Sequence, residues 1–546
     1  MFCLSFFFLF FFFFFVESAY PDLAVLNANF VQEPRTECRY FQCWCGACDI
    51  YTKNGSQLHF GRHQYLGYTL CHYCHTGVLV GLCISTQRPP GFPPGPIPLP
   101  FLGNINLFMN KHGAHVTLSQ LAKRYGGVVS VKIGPIWKVV LCNIEMTKEA
   151  LLKRSVDFAG RPDIYSVKLF TQGYKNIVFS PYSEAWKLHR KLAHSAIRHF
   201  ASGKALEDMI FTMVPKMAQV IDSHDGSPFD PKLTVRIAIY NILATMCFGH
   251  DYGFDDPKLQ LWMDLYDEQA KEFSKGIAAD VIPVLQGVKT PGYKKVIKFM
   301  EKFFRPFQEE LGEHKVNFDT DNVKDLIDCL LKEQHQTASE ETERAHVLTD
   351  THIVQTLSDV FSAGSDTTVT TLRWAIAYMA EYPEVQTRVS QEIQQVIGNR
   401  HPSLNDRDMM PYTEATIMEI FRCGSLVPLG VIHATTRDTL VSGYSIPHGT
   451  WVFVNHWGLH HDENEWQDAF QFKPEHFLDD AGRIVQHPNS FLPFSAEIFL
   501  LFSWLIQHYT LSKAPGLEED TVIQADLTDF AFRRPKAFQI IAVKKC

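Results

Sequence analysis

The chain has 546 residues, 46% of them hydrophobic and 13% aromatic, with a net charge of −8. That length supports a large buried core, and the charge excludes the basic footprint of a nucleic-acid binder. Eight of the 13 cysteines lie in the first 83 residues, while Cys142, Cys247, Cys329, Cys423 and Cys546 are scattered. Such scatter implies a reduced, cytosol-facing body without a disulfide framework.

Residues 1–87 stand apart. They open on an apolar tract rich in phenylalanine, with no Lys or Arg before it. The tract is slightly short for a membrane span and lacks the basic start of a secretory signal. It reads as a crude anchor or as low-complexity sequence foreign to the rest. Cys45-x2-Cys48 and Cys71-x2-Cys74-His75 hint at zinc, but their separation exceeds the usual spacing, and no metal is assigned. Residues 88–103, rich in proline, form a stiff hinge that cannot be helix. It suits either a tether to a membrane surface or an ordinary linker.

From residue 104 to 546 the pattern is one large domain, mainly α with a minor β-sheet region. Val116–Arg124 is helical, and Val128–Ile133 and Lys138–Leu141 alternate like paired strands. Helical periodicity then runs from Thr147 to Leu331, broken near Phe158–Asp163, Asp225–Pro231 and Thr290–Gly292, and a polar stretch follows at Lys332–Arg344. Leu348–Met379 is the longest periodic segment. Thr349 and Asp350 are its candidate N-caps and Pro383 its stop, which predicts about eight helical turns. Helices Pro383–Ile397 and Tyr412–Phe421, short strands in Thr439–Ile446 and Thr450–Val454, and a loop-rich region to Pro493 complete the chain.

Ala363-Gly-Ser-Asp-Thr-Thr368 puts glycine, an acid and hydroxyls at the middle of the long helix. Gly and back-bonding Ser/Thr weaken or bend a helix, and a buried Asp needs a partner. One reading is a kink with a solvated face. The other is a groove for a small ligand, beside an acid and an alcohol that move protons. Trp186-x3-Arg190 aligns two pure donors on one helical face, as a bound carboxylate requires and as a core Trp beside a surface Arg also provides. Glu419-x2-Arg422 has apolar flanks that mark a buried pair, which then needs further partners. His433 begins the strand region.

Taken in order, the proline hinge, Trp186-x3-Arg190, Ala363-Gly-x-Asp-Thr-Thr368, Glu419-x2-Arg422, Pro474-Glu-x-Phe477 and Phe491-Leu-Pro-Phe-Ser495 resemble the cytochrome P-450 family of haem-thiolate monooxygenases. The resemblance runs from Arg88 to Cys546. Phe158-Ala-Gly-Arg-Pro162, Glu414–Arg422 and Leu459-His-His-Asp462 resemble its microsomal branch, which includes steroid 17-alpha-hydroxylase/17,20-lyase and the aryl-hydrocarbon oxidising enzymes. The resemblance implies the cytochrome P-450 fold, haem b, and electrons from NADPH through a flavoprotein reductase. Trp186, Arg190 and His433 would hold the haem propionates. Ala363 and Gly364 would form the oxygen-binding groove, with Asp366 and Thr367 as proton relay. Glu419 and Arg422 would be the buried structural pair, and Lys187, Arg190 and Lys191 would help dock the reductase. A lipophilic substrate, a steroid favoured over a xenobiotic, and an endoplasmic reticulum membrane facing the cytosol are implied in the same way.

Two departures matter. The family's loop Phe-x2-Gly-x-Arg-x-Cys-x-Gly opens at Phe491, but Ala496 is followed by Glu497-Ile-Phe-Leu-Leu-Phe-Ser-Trp504, which reads as the helix beyond that loop. The domain is therefore expected to be truncated at 496/497, without the iron-ligating cysteine and with no metal ligand assigned. His476 stands where the family has Arg. The expectation is a monooxygenase lineage whose present chain is impaired by this loss, through an incomplete or alternatively spliced reading of a working gene. The alternative is a non-catalytic, haem-free relative that binds a lipophilic ligand.

Overall fold

The computed structural model describes residues 86–100, 102–108, 113–200, 203–273, 276–339, 348–485, 496–516, 523–526 and 532–545. The apolar tract, the zinc-like cysteines and Phe491–Ser495 lie outside them. Helices dominate. They are α1 (Ala114–Tyr125), α2 (Ile144–Lys148), α3 (Tyr165–Phe170), α4 (Glu184–Phe200), α5 (Gly203–Asp222), α6 (Lys232–Phe248), α7 (Pro257–Phe273) and α8 (Ala278–Val281), followed by α9 (Pro291–Asn317), α10 (Leu326–Ser339), α11 (Asp350–Glu381), α12 (Pro383–Val396), α13 (Pro411–Gly424), α14 (His456–His460) and α15 (Ala496–His508).

The minor sheet is equally plain. Strands β1 (Val128–Ile133) and β2 (Ile136–Leu141) pair antiparallel with Val131 opposite Lys138. The next strands are β3 (His433–Ala434), β4 (Thr439–Val441), β5 (Tyr444–Ile446) and β6 (Trp451–Val454). The four-stranded order is β1-β2-β6-β3, with β6 parallel to β2 and antiparallel to β3. The proline-rich segment is more than a spacer. Ser130 of β1 donates from its backbone N to Pro94 O (2.8 Å) and from its hydroxyl to Pro93 O (2.7 Å). Phe92 is buried against Val128, Val139 and Phe158. Gly95 permits this approach, because a Cβ there would meet Ser130 O at 1.9 Å. Proline's fixed φ gives a straight ribbon with free carbonyls, and a strand beside it supplies the donors.

The polar stretch at Lys332–Arg344 is the clearest difference from expectation. Its first part, through Ser339, continues α10. Lys, Glu and Gln are good helix formers, so the helix outlasts its apolar stripe.

The core is built around α11, 32 residues and so about 48 Å long. Val369–Ala380 is buried throughout, and α6, α13 and α15 pack along it. Phe361, fully buried, anchors an aromatic cluster of Trp262 (5.3 Å between ring centroids), Tyr266 (5.3 Å), Tyr240 (5.5 Å) and Phe248 (5.9 Å). Such pairs contribute about 0.5–1.5 kcal/mol beyond area burial. They fix the rotation of α11 and hence which residues face its open side.

Candidate functional site: a helix groove, a cationic cradle and a buried ion pair

The start of α11 is capped reciprocally by Thr349 and His352, and the helix passes through Ala363–Thr368 without a break. The middle is nevertheless distinct. Ala363 is exposed and Val360, Asp366, Thr367 and Thr368 are half-buried, between flanks that are buried. The hydroxyl protons stay local, for Thr367 donates to Ala363 O and Thr371 to Thr367 O (2.8 Å). The glycine serves packing on the other side, because a Cβ on Gly364 would meet Leu243 Cδ2 of α6 at 2.7 Å. Asp366 has the partner its position demands. Arg534, in β7 (Arg534–Pro535), donates from Nη2 at 2.8 Å. Its neighbour Arg533 gives two bonds to the last carbonyls of α13, Cys423 O (2.6 Å) and Gly424 O (2.7 Å), and stacks on Trp374.

The second group gathers at the start of α4 and at β3. Arg190 stacks on Trp186 at 5.3 Å, one helical turn apart. The Trp186 indole N–H donates to Ile177 O (2.9 Å). His433 Nδ1 bonds Phe158 O (2.8 Å), and Ala434 N donates to Gly160 O (2.9 Å), so β3 carries the 158–161 loop. That loop delivers Arg161, which donates from Nε to Val178 O (2.8 Å) and from Nη1 to Ile432 O (3.1 Å). Arg161 therefore joins the three residues expected from sequence. Its motif was legible, but a guanidinium that binds backbone carbonyls leaves no side-chain pattern to read. No ion pair among the described residues neutralises Arg161 or Arg190. Burial and the Arg190 charge lower the Arg161 pKa. Burial, with Arg161 beside it, holds His433 down at about 4. Like charges held together this way make a ready site for an anion with more than one oxygen.

The third group is satisfied within the protein. Glu419 and Arg422 of α13 are both fully buried. Arg422 Nε and Nη2 each donate to the carboxylate at 2.7 Å. The same guanidinium also reaches Ala469 O (2.6 Å), His460 O (2.8 Å) and Gln471 O (2.9 Å). Glu419 Oε1 accepts from Lys473 N (2.8 Å) and bonds His476 Nδ1 (3.0 Å). Burial pushes the Glu419 carboxyl up, but the bonds from Arg422 and His476 outweigh it and hold it below its usual range. Histidine at 476 thus occupies the third position of the network.

The three groups do not form one cavity wall by direct contact. What links the first two is Asp359, one turn before Ala363 on α11. Its carboxylate accepts from Asn176 Nδ2, Ile177 N and Val178 N. Sequence reading missed it because its partners are again mostly backbone amides.

A family model described as Cytochrome P450 matches residues 93–538. Steroid 17-alpha-hydroxylase/17,20 lyase of Ictalurus punctatus is 31% identical over 503 residues, covering 87% of this chain and 96% of that protein. Cytochrome P450 1A5 of Gallus gallus is 34% identical over 478 residues, covering 82% and 90%. Cytochrome P450 1A1 of Chelon auratus is 36% identical over 406 residues, covering 72% and 77%. With its domain matched over most of the chain, from the docked proline segment to the last strands, the protein belongs to the cytochrome P450 family of haem-dependent monooxygenases.

Proposed function

We propose that this chain derives from an enzyme inserting one oxygen atom of O2 into a lipophilic substrate, a steroid ahead of a xenobiotic, and that the chain as it stands lacks the donor for the haem iron. The family uses haem b and electrons delivered from NADPH by a reductase. Full-length likeness to a relative named steroid 17-alpha-hydroxylase/17,20 lyase supports the substrate class.

The residues present meet one half of the haem requirement. The observation that carries the reading is the pair of guanidiniums at Arg190 and Arg161, neither with an ion pair among the described residues, gathered with Trp186 and His433. Two propionates supply the missing charge. The other half is not met by any described residue. A thiolate is the ligand that drives O–O cleavage, and burial raises every described thiol. Cys142 is pushed to about 12 and Cys329 to about 11, and Cys247 and Cys423 rise as well. The Cys423 sulfur also sits between Arg422 Nη2 (3.1 Å) and Glu419 Oε1 (3.5 Å). Ala496 already begins α15, in keeping with a domain truncated at 496/497.

Haem, when bound, supplies the oxygen-activating chemistry. The chain's own residues would bind and carry protons. The cradle would hold the carboxylates, and Ala363 would leave room on the open side of α11. Asp366 would exchange its Arg534 partner for a proton, and Thr367 would turn its hydroxyl from Ala363 O to pass that proton on. Lys187 pairs with Glu184 and Arg190 is engaged by the cradle, which leaves Lys191 as the more available cation for a reductase. An endoplasmic reticulum membrane, with the body facing the cytosol, follows from the microsomal branch. No helix of the described residues is long and apolar enough to cross a membrane.

Reduced full-length protein exposed to carbon monoxide should lack the difference band of thiolate-ligated haem. That band at full occupancy would overturn the impairment. Sequencing the transcript across 496–497 separates a spliced or incomplete reading from a true gap. One observation favours the haem-free ligand-binding alternative. Asp366 is already held by Arg534, as a structural acid would be.

A further inference from the structure

Among the described residues no cation pairs with the Asp359 carboxylate. It is partly open to solvent yet densely surrounded, and that burial raises its carboxyl to about 6. Asn176 Nδ2 donates to one of its oxygens (3.1 Å), and Ile177 N (2.6 Å) and Val178 N (3.1 Å) to the other. A buried carboxylate held only by neutral donors is costly, and a neutral side chain could pack there. What it holds is informative. The peptide group whose N–H belongs to Val178 has its C=O on Ile177. That N–H points to Asp359, while that C=O accepts the Trp186 indole N–H at 2.9 Å. A peptide group is a rigid plane with its dipole along the C=O and N–H bonds. One end is fixed by Asp359 and the other aims the indole. The next carbonyl, Val178 O, accepts Arg161 Nε at 2.8 Å.

We propose that Asp359 is the positioning residue of the cationic cradle, clamping the Ile177–Val178 peptide, whose carbonyl fixes the Trp186 indole under Arg190, so that Arg190 and the adjoining Arg161 face the paired carboxylates of a tetrapyrrole. The inference rests on the cradle reading given above. Asp359 itself touches no ligand. It acts through the backbone, and the anionic end of the clamp polarises the peptide it holds.

The test uses the full chain and two iron-free probes, protoporphyrin IX and its dimethyl ester, titrated by fluorescence at pH 8. Neither probe involves an iron ligand, so the truncation at 496/497 does not enter. The unsubstituted chain should prefer the diacid by about tenfold or more, the worth of one or two charge-assisted bonds. Asp359→Asn should lose about tenfold for the diacid, with the ester unchanged. In a Trp186→Phe background the same substitution should cost less than it does alone, because the bond from the indole to Ile177 O is already cut and only the Val178 O–Arg161 route is left. An undiminished cost overturns the proposal. If the unsubstituted chain binds both probes alike, the cradle reading fails and the inference falls with it. If the chain prefers the diacid and Asp359→Asn keeps that preference, the inference alone is overturned. Equal weakening of both probes also overturns it, since that marks a merely structural role. A readout on the unsubstituted chain guards against a variant that does not fold. The diacid, and not the ester, should slow amide hydrogen exchange at Ile177 and Val178, and equal exchange with the two probes overturns the proposal.

Discussion

Two sets of arginines sit in this molecule under opposite conditions. Arg422 is fully buried, meets a carboxylate with two nitrogens and fills its remaining donors with three carbonyls. Arg161 and Arg190 are more open, and their charges act on each other rather than on an acid. The first arrangement is closed, because every charge has its counterpart inside the fold. The second is a surplus, because no acid among the described residues pairs with it. A fold can keep charge for stability or for binding, and the pattern of partners distinguishes the two more surely than burial does.

The broadest way to sharpen this contrast is pH. Burial holds His115, His189, His433 and His456 down at about 4 and His461 at about 3, against about 6.5 in an unfolded chain. Between those values the unfolded state binds more protons, so stability falls as pH falls from 6.5 toward 4. Every tenfold loss of proton affinity on folding corresponds to about 1.4 kcal/mol, and the effects accumulate. His314 works the other way. Burial opposes its charge, but the Asp325 hydrogen bond prevails and raises it to about 9. Its contribution is whole below about 6.5 and is lost as pH rises through 9. The melting temperature should therefore peak near neutrality and fall most steeply toward pH 5. A flat profile from 7 to 5 would mean that these histidines are charged in the folded protein.

The next effect is local. Arg422→Ala strands the Glu419 charge in the core and should cost about 3–5 kcal/mol in urea unfolding. Arg190→Gln should change stability by no more than about 0.5 kcal/mol, because the arginine it removes is unneutralised and exposed. It should still weaken iron-free protoporphyrin by about tenfold. If the two substitutions destabilised alike, the distinction between closed and surplus charge would collapse. The smallest effect belongs to His476→Arg. A guanidinium there adds a full charge beside Glu419 and should stabilise by about 1 kcal/mol or less, visible as a small rise in the urea midpoint.

The long helix was legible because its apolar period survives a polar interruption, and Glu419-x2-Arg422 because its flanks are apolar. The paired strands were legible from Val128-Val-Ser-Val-Lys-Ile133 alone. What escaped has a common cause. Arg161, Asp359 and Arg533 act on backbone groups, and any residue carries those, so the partner leaves no trace in composition or spacing. Asp366–Arg534 escaped for a different reason, since its halves are 168 residues apart. The interior of α11 has the solvated face of the first reading but no break in the helix. The centre of the helix is its most open part, with Ala363 exposed, and Gly364 is explained by the approach of Leu243.

The unbroken course of α11 has a further consequence. Asp359 grips the loop that aims the cradle, and Asp366 and Thr367 lie seven and eight residues on, so the helix acts as a ruler of about 10 Å between them. A ruler of this kind tolerates substitution and punishes changes in length. One residue inserted between Asp359 and Asp366 would turn everything beyond it by about 100° and advance it about 1.5 Å. Either the clamp on Ile177–Val178 or the alignment of Asp366 with Arg534 would then be lost, whatever residue was added. The spacing of these acids is thus a constraint on the length of the coding sequence between them, set by helix geometry rather than by the identity of any intervening side chain.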